Sequence, residues 1–385
     1  MSSIAGSKSG LTWAVHISVL ALVILWLFPT VGLFISSFRT ADQISSSGWW
    51  AALFPQEQNL VLRTADPDTQ RQEGDVFVID GNLFEQNDES SEARISVWGV
   101  SSRAIDEYVP GDTADMGDDG TITVQANGDY RFENDVEFSG RRGERVFATA
   151  VTPPKFTLAN YERVLFSGST TDSMAKAFFN TLTVTIPATV IPIVIAAFAA
   201  YALAWMQFPG RALLIAAVVA LLVVPLQLAL IPLLKLHLSI GIGKGYLGVW
   251  LAHTGFGLPL AVYLLRNYMV GLPRDIIECA KVDGATDFQI FTRIVLPLSF
   301  PALASFAIFQ FLWTWNDLLV ALVFLIAATG ETTVMTRQIV ELLGTRGGNW
   351  EILATAAFVS IAVPLVVFFA MQRYLVRGLL AGSVK

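Results

Sequence analysis

The sequence predicts a mainly α-helical, polytopic membrane bundle of about six spans, with a small extracytoplasmic β domain inserted between spans 1 and 2. Three observations predict it. Hydrophobic residues make up 54% of the 385 positions and charged residues 15%, a composition outside the range of ordinary soluble domains. Six apolar stretches are each long enough to cross about 30 Å of hydrocarbon, which takes roughly 20 helical residues. The charge is also divided very unevenly. Positions 39–174 carry 24 acidic and 11 basic residues, a net of −13, whereas the rest carries 8 acidic and 14 basic, a net of +6. A division of this kind points to two compartments.

The spans fall near 12–37, 176–205, 212–234, 246–266, 299–328 and 352–372. The first exceeds the 7–15 apolar residues of a signal peptide and no small-x-small site follows it, so it reads as an uncleaved anchor. Pro187, Pro192, Pro225, Pro259 and Pro364 lie inside spans, where neighbouring helices can satisfy the freed carbonyls. Between spans 1 and 2, the runs 76–79, 93–98, 121–124 and 145–148 are strand-like. Asp80-Gly81, Asp119-Gly120 and Asn127-Gly128 supply turn signals between them. Partial alternation suits a small sheet with one face covered. The acidic stretch 112–120 invites a calcium reading, but it lacks the D-x-[DN]-x-[DN]-G spacing and reads as a solvated loop.

Positive residues orient the chain. Lys8, Arg211, Arg266, Arg274, Lys281, Arg293, Arg373, Arg377 and Lys385 fall on one side if the N-terminus is inside. Both termini are then cytoplasmic, and residues 39–174, the turn at Lys244 and the loop 329–351 lie outside. The expected divisions are a terminus and first span over 1–38, a β-rich insertion over 39–155, and a helical core of five spans over 156–385.

Several function classes lack their residues. One cysteine, Cys279, excludes an internal disulfide, and three histidines (His16, His237, His253) give little basis for a metal or histidine catalytic centre. No P-loop, nucleophile elbow or H-E-x-x-H helix is present, so no catalytic residue, metal site or cofactor is expected in this chain. The acidic balance is unlike that of a nucleic-acid partner.

The most informative segment is the polar loop over about 270–297, set between two spans. Pro273 suits a first helical position, and Asp275 and Glu278 suit the positive end of a helix dipole. Ile276, Ile277 and Ala280 give that helix an apolar side, and Gly284 can adopt the φ > 0 that ends it. Thr286 and Asp287 can cap a second turn, with Phe288, Phe291 and Ile294 as its apolar stripe. Within the fifth span, Phe306, Gln310, Trp313 and Asp317 follow spacings of 4, 3 and 4 and should share one helix face. Because an ionised Asp317 facing lipid would cost about 2.5–3.5 kcal/mol, that face should look inward. It reads either as part of a solute path or as interhelical hydrogen bonding. His253 reads as a packing or hydrogen-bonding residue.

The stretch Glu278-Cys279-Ala280-Lys281-Val282-Asp283-Gly284-Ala285, eight further residues, then Ile294-Val295-Leu296-Pro297 resembles the EAA loop of the membrane subunits of binding-protein-dependent ABC importers. Only Cys279 departs from its fixed positions. Residues 156–161 (Phe-Thr-Leu-Ala-Asn-Tyr), Asn180-Thr181-Leu182, Trp315-Asn316-Asp317, and the tail 372–378 with Ala381-Gly382 are similar to the maltose-permease-like branch of that family. The insertion resembles that of alpha-glucoside importers. The resemblance implies a permease subunit of a bacterial inner-membrane sugar importer that makes the translocation path and does no covalent chemistry. It implies a docking loop formed by Glu278, Ala280, Asp283, Gly284, Ala285, Ile294, Leu296 and Pro297, and a candidate path of Phe306, Gln310, Trp313, Asn316 and Asp317. Its partners would be a second related permease, an ATPase dimer that holds the ATP and magnesium, an extracytoplasmic sugar-binding protein, the sugar and membrane lipid. The rivals are an ATP-independent secondary transporter or channel, for which no paired inverted repeat is visible, and an anchored enzyme with its site in the β domain.

Overall fold

Proline and polar side chains decide where the apolar runs become single helices and where they break. The computed structural model describes residues 10–87, 89–166, 174–325, 331–345 and 348–380, with 344–345 and 375–380 described by backbone alone. Lys8, Ala381, Gly382 and Lys385, and the side chain of Arg377, therefore lie outside the described residues. Contacts divide the chain into two compact units, Met1–Asn160 with Gly348–Thr355, and Tyr161–Gly347 with Ala356–Lys385.

The first unit's first helix is α1 (Gly10–Ser36), 27 apolar residues almost wholly exposed and long enough to cross a membrane. A short α2 (Ala41–Ser46) follows, held by a capping box in which Thr40 and Gln43 exchange side-chain and backbone bonds. The β domain is an all-antiparallel pair of sheets around one core. Strands β1 (Gln56–Arg63), β8 (Arg145–Thr152) and β4 (Arg94–Gly99) form one sheet. In the other, β2 (Arg71–Glu73), β3 (Val76–Asn82), β7 (Asp129–Asn134), β6 (Thr121–Val124) and β5 (Thr113–Asp115) lie in that order. A one-turn α3 (Leu83–Gln86) is capped by the Asn82 side chain.

In β8 the alternation is clean, with Val146, Ala148, Ala150 and Thr152 buried. Val146, Ala148 and Ala150 share a core with Leu60, Leu62 and Trp98 from their own sheet and Ile79, Ile122 and Phe132 from the other. The structure corrects three details. Asp80-Gly81 lies within β3 and is not a turn. The insertion has two sheets, with β1, β2, β5 and β7 unforeseen. The loop 112–120 also contains β5, and the carboxylates of Asp112 and Asp115 accept the backbone N–H groups of Val109 and Gly117.

The second unit is helical. It takes up α4 (Ala159–Phe166) beyond Asn160, then α5 (Met174–Trp205), α6 (Arg211–Leu221), α7 (Leu226–Ser239), α8 (Tyr246–Val270), α9 (Arg274–Val282) and α10 (Asp287–Ile290). A π-helical turn (Phe291–Val295), α11 (Leu296–Leu298), α12 (Phe300–Trp315), α13 (Leu319–Phe324), α14 (Met335–Thr345) and α15 (Trp350–Leu380), the last from Ala356 onward, complete it. Among the described residues, α1, α5, α8 and Trp350–Tyr374 are long and apolar enough to cross a membrane alone. The expected third span is broken. α6 and α7 meet at 109°, where Pro225 cannot donate a helical bond and disfavours the helical region at Val224. The fifth also departs from expectation: its helix ends at Trp315 and a separate short α13 follows.

Candidate functional site

The polar loop between α8 and α12 folds as two turns around a left-handed glycine. Pro273 precedes the first helical residue of α9 as its N-cap, one position earlier than expected. Ile277 and Ala280 face inward; Glu278, Cys279, Lys281 and Asp283 are exposed, Val282 87% so. Ile276 is exposed too, so the apolar side of α9 is narrower than its sequence suggested. Gly284 ends the helix at φ +80°, with its N–H donating to Lys281 O and that of Ala285 to Ala280 O. Thr286 then caps α10 through a capping box with Gln289.

Beyond Ile290 the backbone widens into a π turn over Phe291–Val295. That extra residue per turn shifts the apolar stripe. Ile290, Phe291 and Val295 are buried and Ile294 half-buried, while Phe288, expected in the stripe, is exposed. Leu296 is half-buried and Pro297 exposed. The loop is thus polar outside and joined inside to α5 and α8. Ile277, Ala280, Ile290, Phe291 and Val295 share a core with Ala200, Tyr201, Val262 and Leu265.

Three contacts tie this loop to the end of α5. Phe291 packs against Phe198 and Tyr201 at centroid distances of 4.7 and 5.3 Å. The Tyr201 hydroxyl donates to Asp287 Oδ1 at 3.2 Å. Arg211, at the start of α6, donates to the Leu203 and Ala204 carbonyls that the end of α5 leaves open, and to Met206 O just beyond it. Tyr201 was not marked by the sequence, and Arg211 was marked only for its charge on the cytoplasmic side. The Phe208-Pro209-Gly210 break that turns Arg211 back onto α5 was the available signal.

The candidate path residues are only partly brought together. Phe306 and Gln310 are buried on α12. Gln310 Nε2 donates to Ala188 O of α5 at 3.1 Å, and its amide lies against Gly257 of α8, where a Cβ would sit 2.6 Å from Oε1. Gly257 therefore admits this side chain, a role invisible without the fold. Trp313 points elsewhere. It lines a cavity of about 420 Å³ with Leu221, Val224, Phe256 and Pro259, beside the break between α6 and α7.

Asp317 does not share the helix face of Gln310, because α12 has already ended. Asn316 Nδ2 donates to Leu312 O at 2.8 Å, and Asp317 Oδ2 accepts the Val320 and Ala321 N–H groups at 2.9 and 3.3 Å. These side chains offer the backbone a turn in place of helix and cap α13. His253, buried on α8, places Nε2 3.7 Å from the same carboxylate oxygen. Thr185, Thr189 and Thr314 hydroxyls and Gln310 Oε1 are buried without a hydrogen-bond partner among the described residues. This is a polar seam inside an apolar bundle.

Comparison with known proteins gives a family match over residues 159–380, to the family described as binding-protein-dependent transport system inner membrane component. The chain is 59% identical over 383 residues to the alpha-glucoside transport system permease protein AglG of Rhizobium meliloti (strain 1021), covering 98% of each chain. It is 58% identical over 231 residues to the osmoprotective compounds uptake permease protein GgtD of Synechocystis sp., covering 60% of this chain and 76% of that one. A third likeness, at 35% identity over 238 residues, is to the trehalose transport system permease protein SugB of Mycobacterium tuberculosis, covering 60% and 84%.

Proposed function

Since the chain belongs to the binding-protein-dependent transport system inner membrane components, we propose that it is the permease subunit of an ATP-driven importer of alpha-glucosides, of the maltose, sucrose or trehalose kind. It is a transport component and not an enzyme. The sugar class rests on the near-full-length relative named for alpha-glucoside transport. The β domain, the turn at Lys244 and the loop 329–351 lie on the extracytoplasmic side in this reading. Its support is the net charge of −13 over 39–174 and the basic residues gathered at the opposite ends of the spans. The inner-membrane chain then has both termini in the cytoplasm.

The observation that carries the mechanism is the loop's two-sidedness. Its exposed side (Glu278, Lys281, Val282, Asp283) is available to a separate ATPase dimer, which holds the ATP and magnesium. Its buried side is continuous with α5 through Phe291, Tyr201 and Asp287. Movement of the ATPase at α9 and α10 reaches α5 through packed rings and one hydrogen bond, and α5 packs on α8 and α12. An extracytoplasmic sugar-binding protein delivers substrate, and a second, related permease completes the path. In this reading Phe306, Gln310, Trp313, Asn316 and Asp317 contribute to this chain's side of the path.

The test is a Glu278→Lys variant together with a deletion strain grown on single alpha-glucosides. Loss of growth on one of them, restored by the wild-type gene, supports the substrate class. Reduced ATPase recovery with the charge-reversed loop supports the dock. Unchanged growth on every alpha-glucoside removes the substrate assignment, and unchanged recovery removes the dock.

A further inference from the structure

The chain leaving α1 does not run straight into the β domain. It turns back along the helix it has just left. Arg39, 3% exposed, holds the turn: its guanidinium donates to Gln43 O at 2.5 Å, Ser47 O at 3.1 Å and Ser47 Oγ at 2.6 Å. Asn160 fixes the base of the turn by donating to the carbonyls of Ser37 and Arg39 at 3.0 and 2.8 Å. The returning segment brings Trp49 onto Gly32, the one buried residue of α1, so closely that a Cβ there would lie 2.5–2.9 Å from the indole. The rings of Trp49 and Trp50 lie 4.6 and 6.4 Å from that of Phe28.

These contacts set a depth. At 1.5 Å per residue, α1 is about 40 Å long, and Gly32 and Phe28 lie about 6 and 12 Å short of its end at Ser36. A hydrocarbon core of about 30 Å centred on that helix ends about 5 Å short of each terminus. Trp49 and Trp50 are thus held at or just inside the hydrocarbon surface. In the same segment Trp50, Leu53 and Phe54 are 66, 70 and 65% exposed, as are the apolar side chains along α1 that a bilayer would cover.

We propose that residues 48–54 are an interfacial anchor whose partner is the boundary between headgroups and acyl chains of the bilayer, in the leaflet on the β-domain side. Indole rings favour that boundary because one ring edge is apolar and the N–H is polar. The anchor ties the start of β1, at Gln56, to the membrane surface, which limits the freedom of the β domain that follows. It rests on α1 being a span and not on the transported substrate.

The test uses the full chain in phosphatidylethanolamine–phosphatidylglycerol vesicles. Cys279 is the only cysteine, so L53C or F54C in a Cys279→Ser background takes one environment-sensitive fluorophore. V136C, exposed on the β domain, serves as the aqueous reference. Both L53C and F54C labels should emit at shorter wavelength than V136C. They should lose more emission to lipids with a nitroxide near the headgroup than to lipids with one at the acyl terminus, while V136C loses none. Iodide quenching of L53C and F54C equal to that of V136C overturns the proposal. So does a blue-shifted emission that no nitroxide lipid quenches, since that result means protein covers the patch.

Discussion

Valine in place of Gly284 tests whether the loop works as a hinge. Gly284 sits at φ +80° and nothing lies within 4 Å of a Cβ built there, so the substitution meets no steric neighbour and its whole cost is backbone strain. A non-glycine residue in the left-handed region costs about 1–3 kcal/mol, with β-branched residues at the upper end. That range corresponds to a shift of about 5- to 150-fold in an equilibrium between two loop arrangements. Spans and flanking charges are untouched, so Gly284→Val should insert normally and lower ATP-driven uptake within that range. Gly284→Asn is the control, because asparagine accepts this conformation while also adding a side chain at the surface. ATPase recovery from membranes, sugar uptake and ATP hydrolysis are read side by side. Wild-type uptake in the valine variant refutes the hinge. An asparagine variant as impaired as the valine one also refutes it, since the defect would then follow the added side chain and not the backbone.

Gly257→Ala should drive the Gln310 amide off Ala188 O, at a cost of about 1–3 kcal/mol for overpacking; a lower thermal midpoint of the purified protein, recovered when Gln310→Ala is added, is the expected result, and an unchanged midpoint counts against the close approach. Asp317→Ala removes the oxygen that accepts two N–H groups of α13 and should cost about 1 kcal/mol, as lost helix caps do. Asp317→Asn keeps an acceptor and should cost less, and equal midpoints for the two would contradict a capping role. Trp313→Ala should change the relative uptake of two alpha-glucosides with ATPase recovery unaltered; identical selectivity and rate mean that the ring only packs. In the β domain, hydrogen bonds from Arg131 and then Arg71 hold the Glu73 carboxyl below its usual pKa. A lowered folded pKa gives stability that is present above the unfolded value near 4.5 and lost as pH falls through the folded one. Amides of β2, β3 and β7 should therefore be less protected from hydrogen exchange at acid than at neutral pH after correction for intrinsic rates, and Glu73→Gln should shrink the difference.

The sequence carried the helical architecture well where one period ruled. α1, α5, α8 and the apolar part of α15 match the expected runs closely, because nothing in those runs competes with the helix except prolines that the bundle tolerates. It failed where a local competitor was present. Pro225 divides one apolar run into two helices at a steep angle, and Asn316 and Asp317 end another with their own side chains. A hydropathy window sees neither. In the β domain, β3 swallowed a turn signal: Asp80 and Gly81 pair with Arg131 and Tyr130 across the ladder, and tertiary pairing overrode local preference. In the loop, the capping residues and the glycine stood where their chemistry placed them. The π turn moved the stripe from Phe288 to Ile290, which no fixed period anticipates. Gly257 under Gln310 and Tyr201 on Asp287 depend on residues 53 and 86 positions apart, so only the fold reveals them.

The central claim, that this chain forms a sugar path driven by an ATPase docked on its polar loop, is tested most directly by reconstitution. The chain, its permease partner and the ATPase are placed in vesicles that enclose ATP, with the sugar-binding protein and a labelled alpha-glucoside outside. The account predicts uptake that needs the enclosed ATP and the binding protein together, and that falls with Gly284→Val although the complex stays assembled. Uptake at the same rate without ATP, driven by the sugar gradient alone, would contradict it.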